Sequence, residues 1–140
     1  MQLQHSYQGW ALSLLRIMSA LLLLQHGTTK ILDFPTGPMN DVSLTSMSGI
    51  AGFFELIGGT LLLVGILTRP VAFVLSGLTA VAYFYAHAPR GFFPILNGGA
   101  LAALYAFVFL FLAAVGGGPW SLDRFLRPAE AEREPSPVRG

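Results

Sequence analysis

The sequence predicts an all-α, polytopic membrane protein built as a four-transmembrane-helix, up-down-up-down bundle. Three observations predict it. Of 140 residues, 54% are hydrophobic and only 11% charged, whereas a soluble domain carries roughly a quarter charged residues. Four long apolar runs take up most of the chain, and mean hydropathy is +0.63. Pro- and Gly-rich breaks separate the runs, and the third and fourth show no strand-like alternation. Short breaks between long helices favour antiparallel neighbours.

The same composition excludes several function classes. Net charge is +1 with no basic cluster, so the chain lacks the electrostatic footprint of nucleic-acid binding. It has no cysteine, which removes disulfides, Cys-ligated metals or clusters, and any thiol relay of its own. One membrane domain is expected over 1–127, followed by a tail over 128–140 whose Glu, Arg and Pro content reads as disordered.

The first apolar run, about 9–31, has the ~20 residues that a spanning helix needs. A secretory signal peptide would place its basic residues ahead of a short apolar core; here Arg16 lies inside the run. Residues 32–48 hold Pro35, Gly37, Pro38 and Asn40, which is loop chemistry. The second helix is expected over 49–67, with Glu55 as its only charge, and Thr68-Arg69-Pro70 ends it. The third is expected over 70–88 and closes at Pro89. The fourth is expected over 97–115, opened by Asn97 as a cap and broken by Gly116-Gly117-Gly118-Pro119. Beyond it, Leu122, Phe125 and Leu126 repeat at helical spacing behind Ser121, a potential N-cap, so a short interfacial helix is expected over 121–127.

Four crossings put both termini on one side. That side and the second turn carry Arg69, Arg124, Arg127, Arg133 and Arg139, against Lys30 and Arg90 opposite. The positive-inside rule then places the termini in the cytoplasm, with Trp10 and Trp120 at the cytoplasmic interface.

Polar residues align on the first helix. Arg16, Ser19, Leu23, His26, Lys30 and Asp33 follow one stripe by three- and four-residue steps, and a charge facing hydrocarbon costs at least ~2.5–3.5 kcal/mol. Asp33 reads as an interfacial snorkelling residue; Lys30 reads equally as snorkelling or as interior. Glu55 is the expected partner of Arg16, either as a structural ion pair or as a proton-handling or ligand-binding carboxylate. Gly52, Gly58, Gly59 and Gly65 point to close helix approach. Tyr83 and His87, four apart, share a face near the outer end, as does His26 on the first helix. Two histidines at one depth suit a hydrogen bond to a quinone carbonyl or a proton shuttle, and they make only a weak metal signal, so no metal is expected. The glycines of Asn97-Gly98-Gly99 let another group approach the fourth helix closely.

These residues together resemble the DoxX family of small four-helix bacterial membrane proteins. The pieces are Leu15-Arg16 and His26-Gly27 with Lys30; Glu55-Leu56-Ile57-Gly58-Gly59, Gly65 and Thr68-Arg69; Tyr83, His87 and Phe92-Phe93-Pro94; Asn97-Gly98-Gly99; and Trp120-Ser121-Leu122-Asp123. They run in order over about 12–126. One departure is Ala100, where the family usually has a carboxylate.

The resemblance implies a bacterial cell (inner) membrane protein associated with a quinone-linked or redox-stress oxidoreductase system, since members resemble the membrane subunit of a thiosulfate:quinone oxidoreductase. The chain shows no catalytic motif of its own and no flavin, nicotinamide or haem motif; quinone is the one cofactor the reading admits. Arg16, His26, Lys30, Glu55, Tyr83, His87 and Asn97 are the expected cavity or ligand-binding residues. The bilayer is the expected partner, a redox protein and further copies of the chain are open alternatives, and no nucleic acid is expected. A non-enzymatic scaffold for a partner protein is the rival function. A small-molecule transporter ranks behind it, because four helices leave little room for alternating access.

Overall fold

In the computed structural model, which describes residues 2–126, the first helix, α1, runs Gln2–Leu32 and begins well before the apolar run that predicts it. Two further helices, α2 (Met47–Val64) and α3 (Thr68–Ala82), follow. The third helix then changes pitch, passing through a π turn at Tyr83–His87 and a 3₁₀ turn at Ala88–Arg90. A four-residue helix, α4 (Pro94–Asn97), precedes α5 (Ala100–Val115), and α6 (Leu122–Leu126) ends the described chain. No described residue lies in a strand. The expected tail 128–140, and Arg127 at the end of the expected interfacial helix, lie outside the described residues.

Three spans, Ser6–Leu32, Met47–Val64 and Thr68–Arg90, are long and apolar enough to cross a membrane. The fourth, α5, is apolar but has 16 residues. At ~1.5 Å per residue it covers about 24 Å of a core ~30 Å thick. The protein is a helical membrane bundle whose fourth span is shorter than the other three.

The helices are antiparallel in sequence order, and α1 packs chiefly on α2, and α3 on α5. Glycines set the spacing of the first pair. A Cβ on Gly27 would lie 2.8 Å from Leu56 Cα, and one on Gly52 would lie 3.0 Å from Lys30 Cβ. Neither backbone could come so close past a side chain. Gly58 does the same for Leu75 of α3, and Gly59 for Leu24 of α1. Leu23, Leu62, Leu75, Phe109 and Leu112, each buried, form the core that joins the two pairs. The α1–α5 seam is thin by comparison.

The helix ends depart from the sequence expectations in three further places. First, α2 stops at Val64 because Gly65 takes a left-handed conformation (φ 79°) and donates to Leu61 O. The next helix opens at Thr68, and its cap comes from afar: Asp123 accepts from Leu67 N at 2.7 Å and from Thr68 N at 2.8 Å. Second, the fourth helix starts at Ala100, so Asn97 does not cap it. Gly98 (φ 73°) ends α4 instead, and Gly99 stands at the α5 N-cap with no side-chain bond. Third, Ser121 Oγ donates back to Gly118 O at 2.8 Å rather than capping α6.

A candidate ligand cavity beside a buried ion pair

Lys30 and Glu55 meet where Gly27 and Gly52 bring α1 and α2 together. Lys30 Nζ donates to both carboxylate oxygens of Glu55 at 2.9 Å, and the side chains are only 10% and 9% exposed. The expected Arg16–Glu55 pair does not form. Arg16 lies level with Leu62 and Leu63, seven to eight residues further along α2, which separates it from Glu55 by about 11 Å at the rise of a helix. There Arg16, fully buried, donates to four carbonyls. Nε reaches Gly117 O at 2.9 Å, Nη2 reaches Trp120 O at 2.9 Å, and Nη1 reaches Leu63 O at 2.7 Å and also Leu62 O. It ties the end of α2 to the turn after α5, neutralising the carbonyl end of α2. Arg16 therefore belongs to the opposite end of the bundle from the histidines.

A cavity of about 480 Å³ opens beside the ion pair, between the α1–α2 and α3–α5 pairs. That volume falls within the range of small-molecule sites. His26, Lys30, Glu55, His87, Arg90 and Tyr105 bring its main polar groups, with the hydroxyls of Ser48, Thr79 and Tyr85; Leu, Ile, Ala and Met side chains make most of the remaining wall. His26 is half-buried and lies within electrostatic reach of both Glu55 and Lys30. His87 sits at the end of the π turn, a rare conformation that recurs at functional sites.

Tyr83 and Asn97, expected in the wall, stand behind it. Asn97 is 2% exposed. Its Nδ2 donates to Gly91 O at 2.8 Å and to the Tyr83 hydroxyl at 3.5 Å, and its Oδ1 accepts from Gly99 N at 2.8 Å. Its backbone O lies 3.2 Å from His87 Nδ1. Tyr83 stacks on His87 with the ring centroids 6.4 Å apart. A Cβ on Gly99 would lie 2.7 Å from both His87 Cβ and the Tyr83 ring, so only glycine admits this packing. Asn97, Tyr83 and Gly99 thus pack around His87 rather than line the cavity. Asp33, exposed, accepts from Asn40 Nδ2 and Asp41 N at 3.3 Å and shapes the loop instead of lining the cavity.

Among the wall residues that sequence reasoning missed, which include Tyr85 and Arg90, is Tyr105. It is 5% exposed and stacked on Phe109 at 5.2 Å, and its buried hydroxyl has no hydrogen-bond partner among the described residues. An orphaned buried hydroxyl costs ~1–3 kcal/mol, and such groups recur where a ligand completes the bond. The available signal was a lone tyrosine in the middle of an otherwise Leu-, Ala- and Phe-rich helix. Among the described residues, no group of three or more His, Cys, Asp or Glu side chains is placed to hold a metal ion.

The fold and this cavity define a class: multi-pass helical membrane proteins with an internal, partly polar cavity near one face. The sequence profile of the DoxX family matches residues 11–88, and the chain belongs to that family. The matched stretch includes Arg16, His26, Lys30, Glu55 and His87 but stops before Asn97-Gly98-Gly99 and Trp120–Asp123. A protein of Haemophilus influenzae (strain Rd) is 41% identical over 128 residues, covering 84% of this chain and 91% of its own length. A second from the same organism is 38% identical over 73 residues, covering 52% of this chain and 48% of its own length. Both bear the description "Uncharacterized protein". No solved structure matches the chain significantly.

Proposed function

We propose that this protein is the membrane subunit of a quinone-linked oxidoreductase system and that its cavity takes the quinone head group. The observation that carries the reading is the orphaned Tyr105 hydroxyl in the wall of a mostly apolar cavity that also holds two histidines, Arg90 and a charged pair. A quinone offers an apolar ring with two carbonyl acceptors. The Tyr105 hydroxyl, an imidazole N–H of His26 or His87, and the Lys30 ammonium are donors of the matching kind. When bound, the quinone would accept electrons and protons. This chain's residues bind and orient the ring, exclude water with Leu78 and Leu101, and hold protons at His26, His87 and Glu55. With no cysteine, the chain has no thiol relay of its own, so electrons come from a separate redox protein.

The basic residues support a bacterial inner-membrane orientation with the Arg69 and Arg124 end in the cytoplasm and the cavity near the outer face. A reporter enzyme fused to the C-terminus, active only on one side, reads that orientation directly. Quinone binding is tested by titrating a short-chain quinone analogue into the detergent-solubilised protein and following its fluorescence. Weaker binding in H87A and Y105F than in the unaltered protein is expected. Absence of saturable binding to the unaltered protein defeats the reading.

The rival scaffold function rests on one specific feature, the apolar loop where Phe92, Ile95 and Leu96 are each more than 80% exposed. Mild crosslinking in native membranes distinguishes it: a stable partner captured through this loop, with no quinone bound, favours the scaffold.

A further inference from the structure

The opposite end of the bundle carries a second recess, about 370 Å³, between the start of α1, the α2–α3 turn and the Gly116–Gly118 turn. Arg69 and Arg124 line it, with Leu12 and Val115 below. Both arginines are exposed, and neither guanidinium makes an ion pair or hydrogen bond with another described residue. Arg69 lies along the backbone of Gly116: a Cβ there would be 3.5 Å from Arg69 Nε, and Gly116 (φ 94°) and Gly118 (φ 78°) are both left-handed. The turn therefore leaves the recess free of side chains just where the guanidinium lies.

Among the described residues the charge here is mostly positive. Beneath the recess, buried Arg16 spends its donors on carbonyls, Gly117 O and Trp120 O among them. The carboxylate within the recess, Asp123, accepts from Leu67 N and Thr68 N at the start of α3. Among the described residues lining the recess, two guanidinium charges thus stand with one carboxylate that already accepts from backbone donors. Trp10 and Trp120, both about half exposed, stand at the same end of the bundle. Tryptophans of that kind sit at headgroup depth.

We infer that this recess binds the phosphate of an anionic phospholipid, with Arg69 and Arg124 as its two ligands. A guanidinium suits phosphate because its planar fork donates to two oxygens at once, and basic pockets between helices at the membrane surface take anionic headgroups. Leu12 and Val115 continue the recess downward onto the thin α1–α5 seam, where an acyl chain has an apolar path. This also accounts for two arginines that have no ion-pair partner among the described residues, at an interface where lipid phosphate is the abundant counter-ion. The inference is independent of what the larger cavity holds.

The test uses the full chain, purified and delipidated in a neutral detergent. Phosphatidylglycerol, phosphatidylcholine and inorganic phosphate are compared by native mass spectrometry and by the thermal unfolding midpoint. Phosphatidylglycerol is expected to be retained and to raise the midpoint, phosphatidylcholine and free phosphate to do neither. The R69Q/R124Q variant is expected to lose about thirtyfold in retention, at roughly a kcal/mol per basic side chain near the surface. If that variant does not fold, R69K/R124K, which keeps charge but not the fork, is expected to bind with intermediate affinity. Equal retention of phosphatidylcholine, unaltered preference in both double variants, or stabilisation by free phosphate alone overturns the inference; the last outcome assigns the recess to a soluble phosphate.

Discussion

Lys30 Nζ lies 2.9 Å from each carboxylate oxygen of Glu55, and two glycines, Gly27 and Gly52, hold the helices close enough for this to happen. A charged pair withdrawn from both water and lipid is expensive to break on one side, because the remaining charge has no partner. We expect K30M and E55Q each to destabilise the protein by about 3–5 kcal/mol, and the double variant to lose much less than their sum. Denaturant titration in detergent micelles measures all three. Additive losses would show that the two charges do not depend on each other.

The helix spacing makes its own prediction. A methyl group on Gly27 meets backbone atoms of Leu56 and Glu55, which cannot rotate away, whereas one on Gly77 meets nothing within 4 Å. G27A is expected to cost about 1–3 kcal/mol by overpacking, while G77A gains up to ~1 kcal/mol of helix propensity. Thermal unfolding of the two variants side by side tests the contrast, since both introduce the same residue in a helix.

Arg16 joins α2 to the post-α5 turn through four carbonyls. Lysine carries the same charge but lacks the planar fork that reaches separate acceptors. R16K is therefore expected to lose about 3 kcal/mol, the worth of one or two charge-assisted hydrogen bonds. Limited proteolysis should then cut within residues 116–121, which Arg16 no longer holds. Unchanged protection of that turn would mean that charge alone, without the fork, suffices.

Tyr105 separates binding from stability. Its hydroxyl has no partner among the described residues, so Y105F removes a buried polar group at no cost in packing. Stability is expected to stay level or rise by about 1 kcal/mol, while affinity for a quinone analogue falls about tenfold, the value of one hydrogen bond of ~1.4 kcal/mol. Melting and binding curves on the same preparation check both halves. A fall in stability would show that the hydroxyl is satisfied within the protein.

Much of the architecture was legible in the amino-acid order. Four apolar runs between Pro/Gly breaks specified the helical bundle, because length and hydropathy are local properties of each segment. Arg16, His26, Lys30, Glu55 and His87 stood out as well, since ionisable side chains in a span contrast with their neighbours. Helix ends were less so. Asn97 looks like a cap for the fourth helix, but Gly98 and Gly99 defer its start to Ala100 and leave Asn97 to bind the loop.

Pairing was decided only in three dimensions. Sequence spacing gives depth along one helix but not the vertical offset between two, and an error of two turns sends Glu55 to Arg16 instead of Lys30. The close passage of Gly27 against Leu56 sets that offset. It brings Lys30 level with Glu55 and Arg16 level with the carbonyl end of α2. The order of residues determined a helical membrane bundle with buried charges. Tertiary packing determined which charge meets which partner, because backbone contact at a few glycines fixes the register of the whole pair.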